Sequence, residues 1–210
     1  MVKIIPTILT NNKKDFEDRY KKLSFSDMLQ IDFMDGKFVK NKSVSLEEMP
    51  SFFNRRVEAH LMVEKPEEYI SALKKKGFKK IIFHYESFSD KSKIRDFAKD
   101  LTIQGLKPVL AINPETKLED FYELTGLFTT IMFLGVNPGK ENQEFQKKVI
   151  DKIKKLRNKD DKILIQVDGG VNPQTAKNLK GLVNIVNSGS YISENEDPEK
   201  AFNNLRKVFE

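Results

Sequence analysis

The sequence predicts an α/β protein of the (β/α)₈ class, the TIM barrel. Eight short apolar runs of strand-like length alternate with longer amphipathic stretches. A strand followed by a helix, repeated eight times, is the architecture of this barrel. The chain has 210 residues, a compact length near the low end for that fold.

The expected strands are the short apolar runs at 4–9, 28–32, 57–62, 80–84, 108–112, 130–134, 163–167 and 185–187. The expected helices are the amphipathic stretches at 14–23, 46–53, 66–76, 91–104, 118–124, 143–158, 173–179 and 198–209. Several carry start signals, such as Pro66 before two glutamates and Asp197 before Pro198. A doubly wound open sheet is the competing fold, but no Gly-x-Gly-x-x-Gly turn follows the first strand.

Composition narrows the class of protein. We expect one domain over residues 1–210, because no linker-like segment divides the chain. The chain has no cysteine, which excludes disulfides and thiolate chemistry and fits a cytoplasmic location. No apolar run reaches the roughly 18 residues of a membrane span, and the first nine residues lack a signal peptide's layout, so no membrane association is expected. The net charge of +6 comes from lysines scattered among acidic residues, which favours phosphorylated small molecules over nucleic acid as partners.

The seventh expected strand leads into the stretch ILIQVDGG at 163–170, where apolar residues precede Asp168 and two glycines. Because side chains alternate along a strand, Gln166 and Asp168 share one side, the interior if the sheet closes. A carboxylate at the C-terminal end of a barrel strand lies where this fold keeps its chemistry. The alternative is an aspartate that only caps the next helix.

Polar side chains also alternate at the ends of three other strands. Gln30 and Asp32 share a side in QIDFMDGKFVKN, as do Glu58 and His60 in EAHLMVEKP. The second of the chain's two histidines, His84, ends the fourth strand. Two histidines at one barrel rim, beside inward carboxylates, favour a functional site over a structural role.

An imidazole and two carboxylates that converge can hold a divalent cation and leave room for substrate oxygens. Carboxylates on opposite sides of a substrate carbon can also remove a proton from one face and return it on the other. A nearby cation would stabilise the enediolate formed in between. Asp32, His60 and Asp168 therefore predict epimerisation next to a carbonyl. The alternative is a buried, hydrogen-bonded cluster without turnover.

Glycine-bearing turns follow the last two strands, with Gly169 and Gly170 after the seventh and Gly189 and Ser190 after the eighth. Backbone N–H groups in these two loops form the usual phosphate site of this fold. The sixth strand is followed by the polar loop GVNPGKENQEF, which predicts either a lid over the barrel mouth or a plain connection.

A series of motifs runs nearly from end to end of the chain: PTIL, IDFMDGKFV, EAHLMVEKPEEYI, HYES, LAINPET, VNPGKENQEF, QVDGGVN and SGS. In their order and spacing the chain resembles the ribulose-phosphate 3-epimerase family. The resemblance implies a barrel of the ribulose-phosphate-binding type. It also implies a metal-assisted 1,1-proton transfer that interconverts ribulose 5-phosphate and xylulose 5-phosphate, or acts on a related ketose phosphate. Relatives form dimers or hexamers, so a homo-oligomer is expected.

The resemblance also implies roles for individual residues. Asp32 and Asp168 match the two acid/base aspartates. The same aspartates and His60, with Gln30 as a candidate fourth ligand, match the set that holds a divalent metal (Zn, Fe, Mn or Mg). The implied substrate-binding residues are Thr7, His60, Met34, Met62, Gly139, Gly169, Gly170, Gly189 and Ser190, with Leu134 at the place of a third methionine.

Departures from the family pattern surround the metal and the lid. The family's His-x-Asp motif has Gln30 in its first place here, and a neutral amide oxygen is a poorer zinc ligand than imidazole nitrogen. We therefore expect weaker metal affinity or a harder cation. Residues 140–142 of the lid are Lys-Glu-Asn where the family has glycines, which should stiffen the loop and change its closure. Lys37 and Lys40 replace a family histidine and proline.

Two other functions stay open on sequence grounds. Gln30 and the altered lid favour a degenerate barrel that binds a phosphorylated ligand or partner without turnover. The related decarboxylases and hexulose-phosphate synthases carry an Asp-x-Lys-x-x-Asp motif at a strand end, which the stretch DFMDGK does not supply.

Overall fold

A computed structural model describes residues 2–210. Within this range, parallel strands close into a barrel in which each strand pairs with its neighbours in the sequence and the last pairs with the first. The strands are β1 Lys3–Ile8, β2 Met28–Met34, β3 Arg56–Met62, β4 Lys80–His84, β5 Lys107–Ile112, β6 Thr130–Leu134, β7 Leu164–Asp168 and β8 Ile185–Ser188. The (β/α)₈ prediction is confirmed, and the bounds of every strand agree with the expected ones to within two residues.

Helices follow the strands around the outside of the barrel. The α-helices are α1 Lys13–Lys22, α2 Ile70–Lys75, α3 Lys91–Ile103, α4 Leu118–Phe121, α5 Lys148–Lys159, α6 Pro173–Ala176, α7 Ser190–Ser193 and α8 Pro198–Phe209. Short 3₁₀ helices cover Leu46–Glu48, Pro66–Tyr69, Tyr85–Ser87 and Tyr122–Leu127. The side chain of Asp197 accepts a hydrogen bond from the backbone N–H of Lys200 and so caps α8, as its position before a proline predicts.

Four helical stretches differ from expectation. The stretch 173–179 is helical only as far as Ala176. The stretch 46–53 forms only the 3₁₀ turn Leu46–Glu48, because Met49 is extended and Pro50 disfavours helical backbone in the residue before it. The stretch 143–158 becomes helical only at Lys148, since the Gln143 side chain instead closes the preceding loop. The helix α7 was not expected as a separate element.

Strand alternation divides the buried residues between the outside and the inside of the barrel. On β3, Val57, Ala59 and Leu61 join the large apolar layer beneath the helices. Side chains that point inward are apolar on one side of the barrel, where β4, β5 and β6 contribute the cluster Ile82, Val109, Ala111, Met132 and Leu134. On the opposite side, β2, β3, β7 and β8 contribute the fully buried polar residues Gln30, Glu58, Gln166 and Asn187. Side chains of a functional site above this polar half can therefore form hydrogen bonds with these buried residues.

Within residues 2–210, no helix has both the length and the apolar composition that crossing a membrane requires.

Candidate active site

A cavity of about 350 Å³ opens at the C-terminal ends of the strands. Ten of the residues that the sequence nominates line it: Thr7, Asp32, His60, Met62, Gly139, Asp168, Gly169, Gly170, Gly189 and Ser190. Leu134 also lines the cavity. The fold therefore brings together side chains that are spread over almost the whole length of the chain.

The base of the cavity holds Asp32, His60 and Asp168, all buried. His60 Nδ1 lies 3.1 Å from Asp32 Oδ1 and 3.4 Å from Asp168 Oδ2. One potential ligand atom from each of the three side chains lies within 4.8 Å of the other two. Two carboxylates from opposite ends of the sequence thus face one small volume, as alternation along β2 and β7 predicts.

Gln30 lies beneath this group and is fully buried. Its Nε2 atom donates hydrogen bonds to Asp32 Oδ1 at 2.9 Å and to Asp168 Oδ2 at 2.6 Å. The same nitrogen is 3.5 Å from His60 Nδ1. The Gln30 amide therefore directs its nitrogen, not its oxygen, toward the two aspartates, where the family resemblance implies a metal.

On its other side, His60 contacts a further series of polar groups. His60 Nε2 lies 2.9 Å from His84 Nε2, and His84 Nδ1 lies 3.3 Å from Glu86 Oε2. The Glu86 carboxylate accepts only, so His84 donates to it from Nδ1 and accepts from His60 at Nε2. His60 consequently donates from Nε2, which leaves its Nδ1 directed at the two aspartates.

The charges in this group shift one another's pKa values. Burial raises the pKa of Asp32 to about 6, although the neighbouring His60 opposes that rise. Burial alone would lower the pKa of His60, but the charge of Asp32 and hydrogen bonds to both aspartates raise it to about 9. The pKa of His84 is lowered, chiefly by burial, in agreement with its role as a neutral acceptor.

Asp32, His60 and Asp168 fit a divalent cation as a set of three ligands. Carboxylate oxygen and imidazole nitrogen are ordinary ligands for Zn²⁺, Fe²⁺ and Mn²⁺. A cation here would displace the proton that His60 otherwise keeps at Nδ1. Gln30 directs its N–H group to this set, and an amide N–H group has no lone pair to give a metal.

The phosphate-binding prediction rests on the loops after β7 and β8. Gly169 and Gly170 both have positive φ, of 89° and 68°, a conformation that glycine adopts without strain. Gly189 lies directly before α7, and Thr7 faces the same part of the cavity. Thr7 Oγ1 is buried and has no hydrogen-bond partner among residues 2–210, which leaves a hydroxyl free for a ligand.

Comparison with known proteins agrees with this geometry. The ribulose-phosphate 3 epimerase family model matches residues 3–193. The ribulose-phosphate 3-epimerase of Bacillus subtilis is 30% identical to this chain, over 98% of this chain and 99% of its own length. A cytoplasmic isoform of that enzyme from Oryza sativa subsp. japonica is 28% identical, over 99% and 94%.

The chain belongs to the ribulose-phosphate 3-epimerase family. It is accordingly an enzyme of the isomerase class. Solved structures similar to this family member include 3-hexulose-6-phosphate synthase from Salmonella typhimurium, with a TM-score of 0.73, 15% identity and coverage of 99% of this chain and 98% of that one. Another 3-hexulose-6-phosphate synthase has a TM-score of 0.72 and 16% identity over the full length of both chains. At these identities the likeness shows the barrel fold alone.

The loop after β6 in this epimerase-family barrel, the candidate lid, is held by contacts that the sequence did not predict. Glu141 in the loop contacts Arg19 of α1, with Oε2 3.2 Å from Nη1. Arg19 also pairs with Glu194, at 3.2 Å, and Asn41 Nδ2 donates to the Gly139 carbonyl at 2.8 Å. These partners lie far apart in sequence, so no local motif could reveal them.

Met34 is the one nominated substrate-binding residue outside the lining of the main cavity. It borders two neighbouring surface pockets, one of which it shares with Gly139 and Glu141. The backbone N–H of Met34 donates to Ser43 Oγ at 3.1 Å, and the backbones of Asp35 and Lys42 form an isolated antiparallel β-bridge. The segment after β2 thus covers this strand end, while Met62 and Leu134 remain in the cavity.

Proposed function

We propose that the chain interconverts ribulose 5-phosphate and xylulose 5-phosphate, or the epimers of a related ketose phosphate, by proton transfer at C3. The observation that carries this proposal is the pair of buried carboxylates, Asp32 and Asp168, at the base of one cavity. The family and the names of the curated relatives support the same reaction class.

In the proposed mechanism the two aspartates act on opposite faces of the substrate carbon. One carboxylate removes the C3 proton, which the adjacent C2 carbonyl acidifies, and an enediolate forms. The other, in its protonated form, returns a proton to the opposite face, so that the configuration at C3 inverts. An acid/base group works best when its pKa lies near the working pH, and burial moves the pKa of Asp32 to about 6.

Other groups bind and orient the substrate. A divalent metal, when bound by Asp32, His60 and Asp168, would supply positive charge that stabilises the enediolate. The free Thr7 hydroxyl is placed to hydrogen-bond a substrate oxygen. Backbone N–H groups of Gly170, Gly189 and Ser190 are the proposed phosphate contacts, with Gly139 contributed by the lid. Homo-oligomer formation stays a prediction.

A second candidate is the binding of a phosphorylated ligand without turnover. One observation favours it: Gln30 occupies the family histidine's place as an N–H donor. Gln30→His separates the two functions, because activity that appears only in that variant marks the natural chain as degenerate.

The direct test is incubation of ribulose 5-phosphate with the protein in deuterium oxide, with and without added Mn²⁺. We expect deuterium at C3 and the appearance of xylulose 5-phosphate. The double variant Asp32→Asn/Asp168→Asn, which preserves the shape of both side chains, is the control and should exchange nothing. Failure of the natural protein to exchange C3 of any ketose phosphate, at high enzyme and with metal present, would refute the proposal.

A further inference from the structure

A continuous chain of polar side chains crosses the barrel interior from the partly buried Lys80 to the two buried aspartates. Lys80 Nζ donates to Gln166 Oε1 at 2.7 Å. Gln166 Nε2 donates to Asn187 Oδ1 at 2.7 Å, and Asn187 Nδ2 donates to Gln30 Oε1 at 2.8 Å. Gln30 Nε2 then donates to Asp32 and Asp168. Every bond in this chain points the same way, from the lysine toward the carboxylates.

The two charged residues at the start of the chain fix that direction. Lys80 can only donate, and the Glu58 carboxylate can only accept. Glu58 Oε1 accepts from Gln166 Nε2 at 2.7 Å and from Asn187 Nδ2 at 2.8 Å. Its other oxygen lies 2.8 Å from Lys80 Nζ. Turning the Gln166 amide over would place donor against donor at Lys80 and acceptor against acceptor at Glu58. Turning the Asn187 amide over would place its oxygen against the Glu58 carboxylate.

The orientation of Gln30 follows from its partners. If the Gln30 amide turned to direct its oxygen at the site, its Nε2 would meet the Asn187 Nδ2 donor. Asn187 cannot turn in response, because its Nδ2 is held by Glu58 and its Oδ1 by Gln166. Leaving buried polar groups without partners is unfavourable, so the observed orientation is the stable one.

We propose that Gln30 is a positioning residue, held from the Lys80–Glu58 pair as an N–H donor to both Asp32 and Asp168, and that it is not a metal ligand in this protein. Its amide fixes one oxygen of each aspartate, Asp32 Oδ1 and Asp168 Oδ2. The other oxygen of each carboxylate is thereby left for the substrate. That positioning role rests on the proposed epimerase function, whereas the donor orientation does not.

The orientation can be measured in the natural protein. With uniform ¹⁵N and ¹³C labelling, scalar coupling across hydrogen bonds should connect Gln30 ¹⁵Nε2 to the carboxyl carbon of Asp32 or Asp168. Gln30→Met identifies the resonance by removing it. Coupling of that nitrogen to the side-chain carbonyl of Asn187 instead, or no coupling to either aspartate, would overturn the proposal. This readout involves no turnover, so it remains informative if the epimerase function fails.

Metal affinity gives a second test, by calorimetric titration of the metal-free protein with MnCl₂. If Gln30 only donates, Gln30→Met should bind Mn²⁺ as tightly as the natural protein to within threefold, or more tightly. A fall of more than threefold would show a lost ligand and overturn the proposal. Gln30→Glu supplies an oxygen anion in the same shape and should bind at least tenfold more tightly. His60→Ala is the control, since it removes a ligand under either description.

Kinetics test the positioning role itself. Gln30→Met should lower kcat at least tenfold and change KM less than threefold, because it frees the aspartates without touching the phosphate loops. Equal changes in both constants, or no change in kcat, would overturn the role. Should Gln30→Met fail to fold, the coupling measured in the natural protein decides the orientation.

Discussion

The Nε2 atoms of His60 and His84 lie 2.9 Å apart inside the barrel, so one ring must donate to the other. The contact of His84 Nδ1 with Glu86 settles which ring does so. The imidazole that faces the two aspartates is therefore held in one tautomer by residues that do not line the cavity. Partners of this kind set the orientation and basicity of metal-binding histidines.

Removing that partner should weaken metal binding. We expect His84→Phe, which keeps a ring but loses the acceptor, to lower the affinity for Mn²⁺ by about 10- to 100-fold. Calorimetric titration of metal-free protein measures the change. Phe38 packs on the same His84 ring, with centroids 4.8 Å apart, so Phe38→Leu is the matched control and should leave the affinity nearly unchanged. Equal affinities for His84→Phe and the natural protein would contradict the assignment.

Asp32 and Asp168 should be needed for turnover but not for folding. Asp32→Asn and Asp168→Asn should each lower turnover at least about a hundredfold, the usual contribution of acid–base catalysis. Each substitution keeps the shape of the side chain, so circular dichroism should show a native barrel. Turnover is measured as the rate of xylulose 5-phosphate formation. A variant that keeps near-normal turnover would remove its aspartate from the mechanism.

The Glu141 carboxyl, in the loop after β6, should titrate at about pH 8. Burial raises the pKa of Glu141 from its usual 4.5 to about 8; the charge of Arg19 opposes that rise, and the charge of Glu194 adds to it. The folded chain therefore holds a proton there that the unfolded chain releases, and this contribution to stability, complete below about pH 4.5, is lost as the pH rises through about 8.

Urea unfolding of the natural protein and of Glu141→Gln measures this effect. The free energy of unfolding of the natural protein should fall relative to that of Glu141→Gln as the pH rises from about 4.5 to 8. Glu194→Gln serves as the control, because it removes a charge that raises the pKa and should shift the transition to lower pH. A difference that does not vary with pH would contradict the raised pKa.

Gly135 lies where the surrounding atoms leave no room for a larger residue. A Cβ at Gly135 would overlap the Gly169 carbonyl and the Phe145 ring, and the Gly135 N–H donates to the Asp168 carbonyl at 2.6 Å. Overpacking of this kind destabilises by about 1–3 kcal/mol, so Gly135→Ala should lower both stability and turnover. Gly126 has no atom of residues 2–210 within 4 Å of a Cβ built on it, so Gly126→Ala is the matched control. Equal melting temperatures would refute the steric argument.

The sequence sufficed for the order of the strands and for the side chains at their ends. Alternation along single strands places Asp32, His60 and Asp168 inward, and the barrel needs only to close for them to meet. The same reasoning put Glu58 and Gln166 inside but gave them no role. Which inward residues touch depends on the register between strands, which spacing within one strand does not encode.

The direction of the Gln30 amide could not be predicted for the same reason. It depends on Asn187, which arrives from the last strand when β8 pairs with β1. The contact between Arg19 and Glu141 joins residues 122 positions apart, and the position of Met34 depends on the loop that covers its strand end. Each of these features depends on contacts between residues that are far apart in the sequence, so no short motif could predict them.

The hydrogen bond from Asn187 links position 30 on β2 to a residue of β8, on the other side of β1. A histidine introduced there would leave Asn187 Nδ2 with Glu58 as its remaining acceptor. Placing a histidine ligand at position 30 therefore calls for a second, compensating substitution at position 187. A library restricted to the residues that line the cavity would leave both positions unvaried, because neither Gln30 nor Asn187 lines it.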